Sequence, residues 1–293
     1  MCYRRLLTIF LIMPLFLRTA SKGANSKASL EGLSKTAAPN ALPNAEFKTL
    51  SADAPNPIPY PFVASIQMVE NGKYKHLCGG VILDNEFVLT AAHCNLKPRQ
   101  LFAKDLLVGA GSNLLFDTKA QRFQVRSIKK HPEFKPLYGH DILLLQLATP
   151  IPIDNIRFAA IDFRNSTSRK DGNLNSMLLG WGRTTPNMPK QLEVVPFRTI
   201  SDEMCFLKYK FKYLTRSEIC AVNTDGPRGA CDGDSGGPLV DAMQHTVYGL
   251  LSYGRKPCET GKPFAFTRIS IYVNWIEEQM RSMRKLNNMN ALR

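Results

Sequence analysis

The histidine of LTAAHC (residues 89–94), the aspartate of GHDILLLQL (139–147) and the serine of GACDGDSGGPLV (229–240) could together break a peptide bond. That reaction needs an exposed hydroxyl as nucleophile, a neutral imidazole to take its proton, a buried carboxylate to orient the imidazole, and amide donors for the developing oxyanion. The chain has only 5 histidines, so the search for a base is short, and His93 ends an apolar run beside a cysteine. Asp141 heads an apolar run where its side chain can be buried against a sheet. Gly233 and Gly236 let the backbone around Ser235 adopt positive φ and approach a ligand closely, so the amides of Gly233 and Ser235 can point into one hollow. Taken singly, each segment is ordinary: a core or surface histidine, a turn or cap aspartate, a glycine-rich turn. The specificity lies in their order, His93, Asp141 and Ser235, 48 and 94 positions apart.

The elements that must position these groups read as short strands. From about Tyr60, apolar runs alternate with turn residues: FVASIQMV, GGVIL, FVLTAA, LLVGA, FQVRSI, DILLLQL, SMLLGWG, HTVYGLLSYG and FAFTRI. Their length and spacing predict one all-β domain. The end differs, because YVNWIEEQMRSMRKL places Val273, Ile276 and Met280 at a helical period, which predicts a C-terminal helix.

Ahead of this domain, Arg4 and Arg5 precede an apolar run from Leu6 to Leu17 with small residues near Ala20. That pattern reads as a secretory signal peptide over residues 1–20, and the run is too short to span a bilayer. Residues 21–48 are rich in Ala, Ser, Asn, Lys and Pro and carry few large apolar side chains, so they read as a flexible propeptide before a domain at 49–293. Removing Cys2 with the signal peptide leaves Cys78, Cys94, Cys205, Cys220, Cys231 and Cys258. An even count in an exported chain implies disulfides, and the arithmetic leaves their pairing open. Asn165-Ser166-Thr167 is a glycosylation acceptor pattern. The net charge of +14 reads first as a solubilising surface and second as attraction to an acidic glycan, with no specific nucleic-acid partner indicated. The chemistry calls for no cofactor or metal, and no acidic cluster suggests a calcium loop.

The ordered segments CGGVIL, LTAAHC, HDILLLQL, LGWGRT, GDSGGPLV, LLSYG and YVNWI resemble the trypsin/chymotrypsin family of serine endopeptidases from about Tyr60 to Met280. The resemblance implies two packed six-stranded antiparallel β-barrels with the active site in the cleft between them, a monomer, and a protein or peptide substrate. It implies that His93 is the general base, Asp141 its orienting partner, Ser235 the nucleophile, and the amides of Gly233 and Ser235 the oxyanion hole. It further implies the pairs Cys78–Cys94, Cys205–Cys220 and Cys231–Cys258.

The same resemblance implies activation by cleavage after Lys48, by a protease of trypsin-like preference, so that the ammonium of Thr49 pairs with Asp234. The family's usual Ile-Val-Gly-Gly is replaced here by Thr-Leu-Ser-Ala. It implies substrate-binding roles for Gly229, Ser252, Gly254 and Phe264. Gly229 stands on the pocket floor where trypsin-like members carry an aspartate, so cleavage after Arg or Lys is disfavoured. Phe264 stands where the family often has glycine, and a ring projecting inward fills much of the slot, which points to small or medium apolar residues before the cut. A ring turned outward into the core would leave the pocket deep. The competing reading is a catalytically silent homologue serving as a binding module, which the unusual Thr49 and Phe264 favour and the complete His-Asp-Ser set opposes.

Overall fold

The computed structural model describes residues 58–96, 100–166, 172–183, 191–210, 214–223, 229–254, 258 and 261–291. The expected signal peptide, propeptide and Thr49 lie outside them. The described residues form two closed antiparallel barrels of six strands each, as expected. The first contains β1 (Val63–Glu70), β2 (Lys73–Ile82), β3 (Phe87–Thr90), β4 (Leu107–Ala110), β5 (Gln121–Lys130) and β6 (Leu143–Leu147), closed in the order β1-β2-β3-β6-β5-β4. The second contains β7 (Gly172–Gly180), β8 (Glu193–Ile200), β9 (Glu218–Val222), β10 (Pro238–Asp241), β11 (Val247–Gly254) and β12 (Pro263–Arg268), closed in the order β10-β11-β12-β9-β8-β7. Helix α1 (Asp202–Tyr209) follows β8, and α2 (Val273–Ala291) ends the described chain.

Local chemistry accounts for these elements. Asn71 and Gly72, at φ 51° and 72°, make the two-residue turn of the β1–β2 hairpin, a conformation open to Asn and Gly at little steric cost. β5 alternates Phe123 and Val125 inward with Gln124 and Arg126 outward. β3 and β6 are buried on both faces because one faces the barrel interior and the other the second barrel. Ser201 caps α1 by accepting from Met204 N at 3.1 Å.

Three strands escape the simple search for apolar runs. β8 carries Pro196, which interrupts the pattern of a ladder strand, while EICAV (β9) and PLVD (β10) are too short to stand out.

The core that matters for the site is shared. Val63, Val81, Leu89 and Leu144 of the first barrel pack in one cluster with Leu179, Val240 and Leu250 of the second. Ile276, Met280 and Met283 of α2 join it, one helical stripe set against the junction, while Val273 is only partly buried. At about 1.5–3 kcal/mol for each fully buried aliphatic side chain, this stripe alone contributes several kcal/mol to holding the barrels in register. Among the described residues no helix is long and apolar enough to cross a membrane.

Candidate active site

His93 sits in a 3₁₀ turn, Ala92–Leu96, that follows β3, and a disulfide between Cys78 and Cys94 ties this turn to β2. Asp141 lies just before β6. Its carboxylate is buried and takes three hydrogen bonds. Oδ1 accepts from the His93 backbone N–H at 2.8 Å. Oδ2 lies 2.7 Å from His93 Nδ1 and accepts from Ser252 Oγ at 2.5 Å. Thr267 Oγ1 donates to the Asp141 carbonyl at 2.7 Å. Ser252 belongs to β11 and Thr267 to β12, so the second barrel clamps an acid carried by the first. A carboxylate oxygen accepts, so this arrangement fixes the imidazole with its proton on Nδ1.

Ser235 stands in the turn between β9 and β10. Gly233 and Gly236 there have φ of 103° and 73°, values that side-chain-bearing residues rarely adopt. Gly236 also has no room for a Cβ against Thr90 Oγ1 and the Gly79 carbonyl. Asp234 N, Gly236 N and Gly237 N donate to Cys231 O, Leu251 O and Asp234 O, at 3.0, 2.8 and 2.8 Å. Among the described residues, the Gly233 and Ser235 N–H groups donate to no acceptor. Two free amides one residue apart are donors ready for an oxyanion.

The Asp234 side chain turns away from the cleft. Oδ1 accepts from Gly182 N at 2.7 Å and Oδ2 from Cys231 N at 2.9 Å. A Cβ on Gly180 or Gly182 would collide with this carboxylate, so both glycines are required by its position. A disulfide joins Cys231 to Cys258, and another joins Cys205 of α1 to Cys220 of β9.

His93, Asp141, Ser235, Ser252, Gly254 and Phe264 line one cleft of about 300 Å³. Gly229 is buried and is not in the cleft's lining among the described residues, whereas its neighbour Ala230 is. Ser252 lines it, but its hydroxyl is committed to Asp141 and not to the pocket. Phe264 resolves the choice between inward and outward by doing both. It pairs with Gly254 on β11 and Ala221 on β9, and the absence of a Cβ on Gly254 lets the ring lie against it. Its other side packs edge-on to Phe197, 5.7 Å between centroids, within the second barrel's core. The side chain of Asn165 is exposed and donates to Asp162 Oδ2 at 2.6 Å, while Thr167 lies outside the described residues.

A relay that the sequence did not reveal reaches the Ser235 turn from β1 and β2. Gln67 Nε2 donates to Ser65 Oγ at 2.9 Å, Ser65 Oγ lies 2.8 Å from His76 Nδ1, and His76 Nε2 lies 2.9 Å from the Gly233 carbonyl. A carbonyl can only accept, so the His76 proton is on Nε2 and Ser65 donates to Nδ1. The relay therefore needs a neutral His76, and burial pushes its pKa from 6.5 down to about 4. No signal in the sequence marks it, because a bulge between His76 and Cys78 breaks the alternation of β2 and turns His76 away from the barrel interior that Cys78 faces.

This makes a prediction for stability. Between pH 6.5 and about 4 the unfolded chain binds a proton at this position and the folded chain does not, so stability falls as pH drops through that window. The contribution is about 3 kcal/mol at the lower end. Glu218, buried and pushed up to about 6, runs in the opposite sense, which makes the difference between two proteins the useful quantity. Urea unfolding at pH 7 and pH 4.5, in a Ser235→Ala background that prevents self-digestion, should show a smaller loss for His76→Gln than for the parent. Equal losses would remove His76 as the titrating group.

With this geometry in view, the comparisons are consistent. The sequence profile of the Trypsin family matches residues 51–276. Glandular kallikrein-10 of Rattus norvegicus is 32% identical over 226 residues, covering 71% of this chain and 82% of its own length. Duodenase-1 of Bos taurus is 30% identical over 241 residues, covering 81% and 91%. The structure described as neuropsin, a serine protease expressed in the limbic system of mouse brain, aligns with a TM-score of 0.65 at 27% identity, over 76% of this chain and 96% of that one. The chain belongs to the trypsin family and is a serine endopeptidase.

Proposed function

We propose that this protein is a secreted zymogen that hydrolyses peptide bonds through an acyl-enzyme on Ser235 and cuts after small or medium apolar residues. His93 takes the proton of Ser235 Oγ as the oxygen attacks the scissile carbonyl, and returns it to the departing amine. Asp141 holds the imidazole with Nδ1 protonated and stabilises the imidazolium that forms. The Gly233 and Ser235 amides receive the negative charge on the tetrahedral oxygen. Water then enters by the same route in reverse and releases the acyl group. The observation that carries this reading is the buried Asp141 carboxylate bound to both nitrogens of His93 that lie within its reach, in the cleft that Ser235 also lines.

Phe264 supports the apolar preference. Its ring occupies the wall facing Gly254 and takes up space that a long substrate side chain would need, and neither position 229 nor position 264 supplies an acid. Activation is by cleavage after Lys48, which frees Thr49 to pair with Asp234. The hollow between Gly180 and Gly182 that holds Asp234 supports this, since the carboxylate already occupies the position from which it orders the Gly233 turn.

The test is to express residues 21–293, cut after Lys48, and react the product with a fluorophosphonate probe beside an uncut sample and Ser235→Ala. Labelling of the cut parent alone is expected. Absence of labelling in the cut parent would favour the silent binding module. Profiling with a peptide library varied before the cut should then favour Ala, Val and similar residues, and strong cleavage after Arg or Lys would overturn the specificity assignment.

A further inference from the structure

Glu218 opens β9 and is 1% exposed, a carboxylate set where burial opposes its charge. Its Oε2 accepts from the Thr215 backbone N–H at 2.6 Å, and the carboxylate is also hydrogen-bonded to the hydroxyl of Tyr253. On the main-chain side, Arg268 Nε and Nη2 donate to the Glu218 carbonyl at 3.0 and 2.6 Å, and Nη2 also donates to Asp202 Oδ1 at 3.1 Å. Burial first, and then the charge of Asp141, push the Glu218 pKa from 4.5 up to about 6. Tyr272 is the remaining titratable group whose charge it meets. At neutral pH the fold therefore keeps a second carboxylate behind the catalytic acid, although burial favours its neutral form.

We propose that Glu218 is a positioning residue for catalysis, whose carboxylate braces two of the supports of Asp141: Tyr253 on one side and the Thr215 turn on the other. This rests on the hydrolysis assigned above to Ser235, His93 and Asp141.

The first support runs along β11. Leu251 pairs with Phe266 and Tyr253 with Ala265, so Ser252 is the extra residue of a bulge. A bulge re-aims a side chain at the cost of ladder bonds, and here it aims Ser252 Oγ at Asp141 Oδ2. Such a residue needs both neighbours fixed. Leu251 is fixed to the Ser235 turn, since its N–H donates to Gly237 O at 2.9 Å and its carbonyl accepts from Gly236 N–H at 2.8 Å. Tyr253 lines the cleft, and its hydroxyl is held by Glu218. The second support runs through the turn before β9. Thr215 Oγ1 and Ser217 Oγ are 2.5 Å apart, and Ser217 Oγ accepts from the backbone N–H of His140, directly before Asp141, at 3.3 Å. Glu218 closes this turn from both ends, because its own N–H donates to the Thr215 carbonyl at 3.2 Å while its side chain takes the Thr215 N–H. Hydrogen bonds to an ionised acceptor are roughly twice as strong as neutral ones, so both braces slacken when Glu218 takes a proton.

The experiment compares kcat of the cut parent with Glu218→Gln, Tyr253→Phe and the double variant, at pH 8 and at pH 5. Gln keeps an acceptor and loses the charge; Phe keeps the ring and loses the hydroxyl, and carries the test alone if the first variant does not fold. At pH 8 each single variant is expected to be about tenfold slower than the parent, the scale of one hydrogen bond to a charged group. The double variant is expected to be little slower than either, because one brace is removed twice. At pH 5 the parent's own Glu218 is mostly protonated, so the ratio of parent to variant narrows toward unity. The ratio cancels the titration of His93, which all four proteins share. Single variants within twofold of the parent at pH 8, losses that multiply in the double variant, or a ratio equal at both pH values would each overturn the proposal; the last would mark Glu218 as a packing residue. If the cut parent fails to label with fluorophosphonate, the catalytic reading fails and this proposal with it, whereas a labelled parent indifferent to Glu218 removes the proposal alone.

Discussion

Replacing Asp141 with asparagine lowers kcat by about 10⁴-fold, the loss this exchange causes in the Ser-His-Asp template, and leaves the fold in place. The hydrogen bonds explain the size. The carboxylate accepts from His93 N–H through Oδ1, and from His93 Nδ1–H and Ser252 O–H through Oδ2. Asparagine offers one acceptor oxygen and one donor nitrogen. If the oxygen keeps the His93 backbone N–H, the amide nitrogen faces Nδ1, which must then accept. The imidazole proton moves to Nε2, the nitrogen that has to receive the proton of Ser235, and the base is lost although every heavy atom stays put. The opposite orientation sets a donor against the His93 N–H and costs about 1–3 kcal/mol for a buried unsatisfied pair. Ser252 tolerates either arrangement because its hydroxyl can turn to accept. Turnover of the cut variant, with its melting temperature as control, is the measurement. A loss under tenfold with an unchanged melting temperature would mean that Asp141 does not orient the base.

That prediction draws on residues legible in the sequence, and it is instructive which were not. The His93, Asp141 and Ser235 segments stand out because each carries its own local signature: a strand end beside a cysteine, an acid before an apolar run, and glycines where positive φ is needed. The barrels were legible in the same way, as nine short apolar runs broken by turns. What the sequence hid are contacts made only when two distant strands come into register. His76 meets Gly233 across 157 positions, Ser252 meets Asp141 across 111, and Thr267 meets the same residue across 126. No local pattern distinguishes a strand serine that packs from one that holds a carboxylate. The contact between Glu218 and Tyr253 was equally silent, because the two are apart in the chain and meet only when β9 and β11 pair with β12.

Phe264→Ala is expected to change what the enzyme cuts and how stably it folds, and the two effects can be separated. The ring is 3% exposed and packed against Phe197, so its loss leaves a cavity and costs about 3–5 kcal/mol of stability. The same loss opens the cleft beside Gly254, and kcat/KM for leucine or phenylalanine before the cut should rise relative to alanine by about 10–100-fold, the scale on which hydrophobic pockets discriminate by size. Basic residues should stay poor substrates, since no acid is added. Gly254→Ala supplies the independent check. A methyl group there collides with the Phe264 ring and should impair the parent, whereas in the Phe264→Ala background the space is vacant and the same change should be tolerated. Such non-additivity is what direct contact produces. Additive losses with an unchanged substrate profile would mean that the ring serves the barrel core alone and that the depth of the pocket is set by another residue.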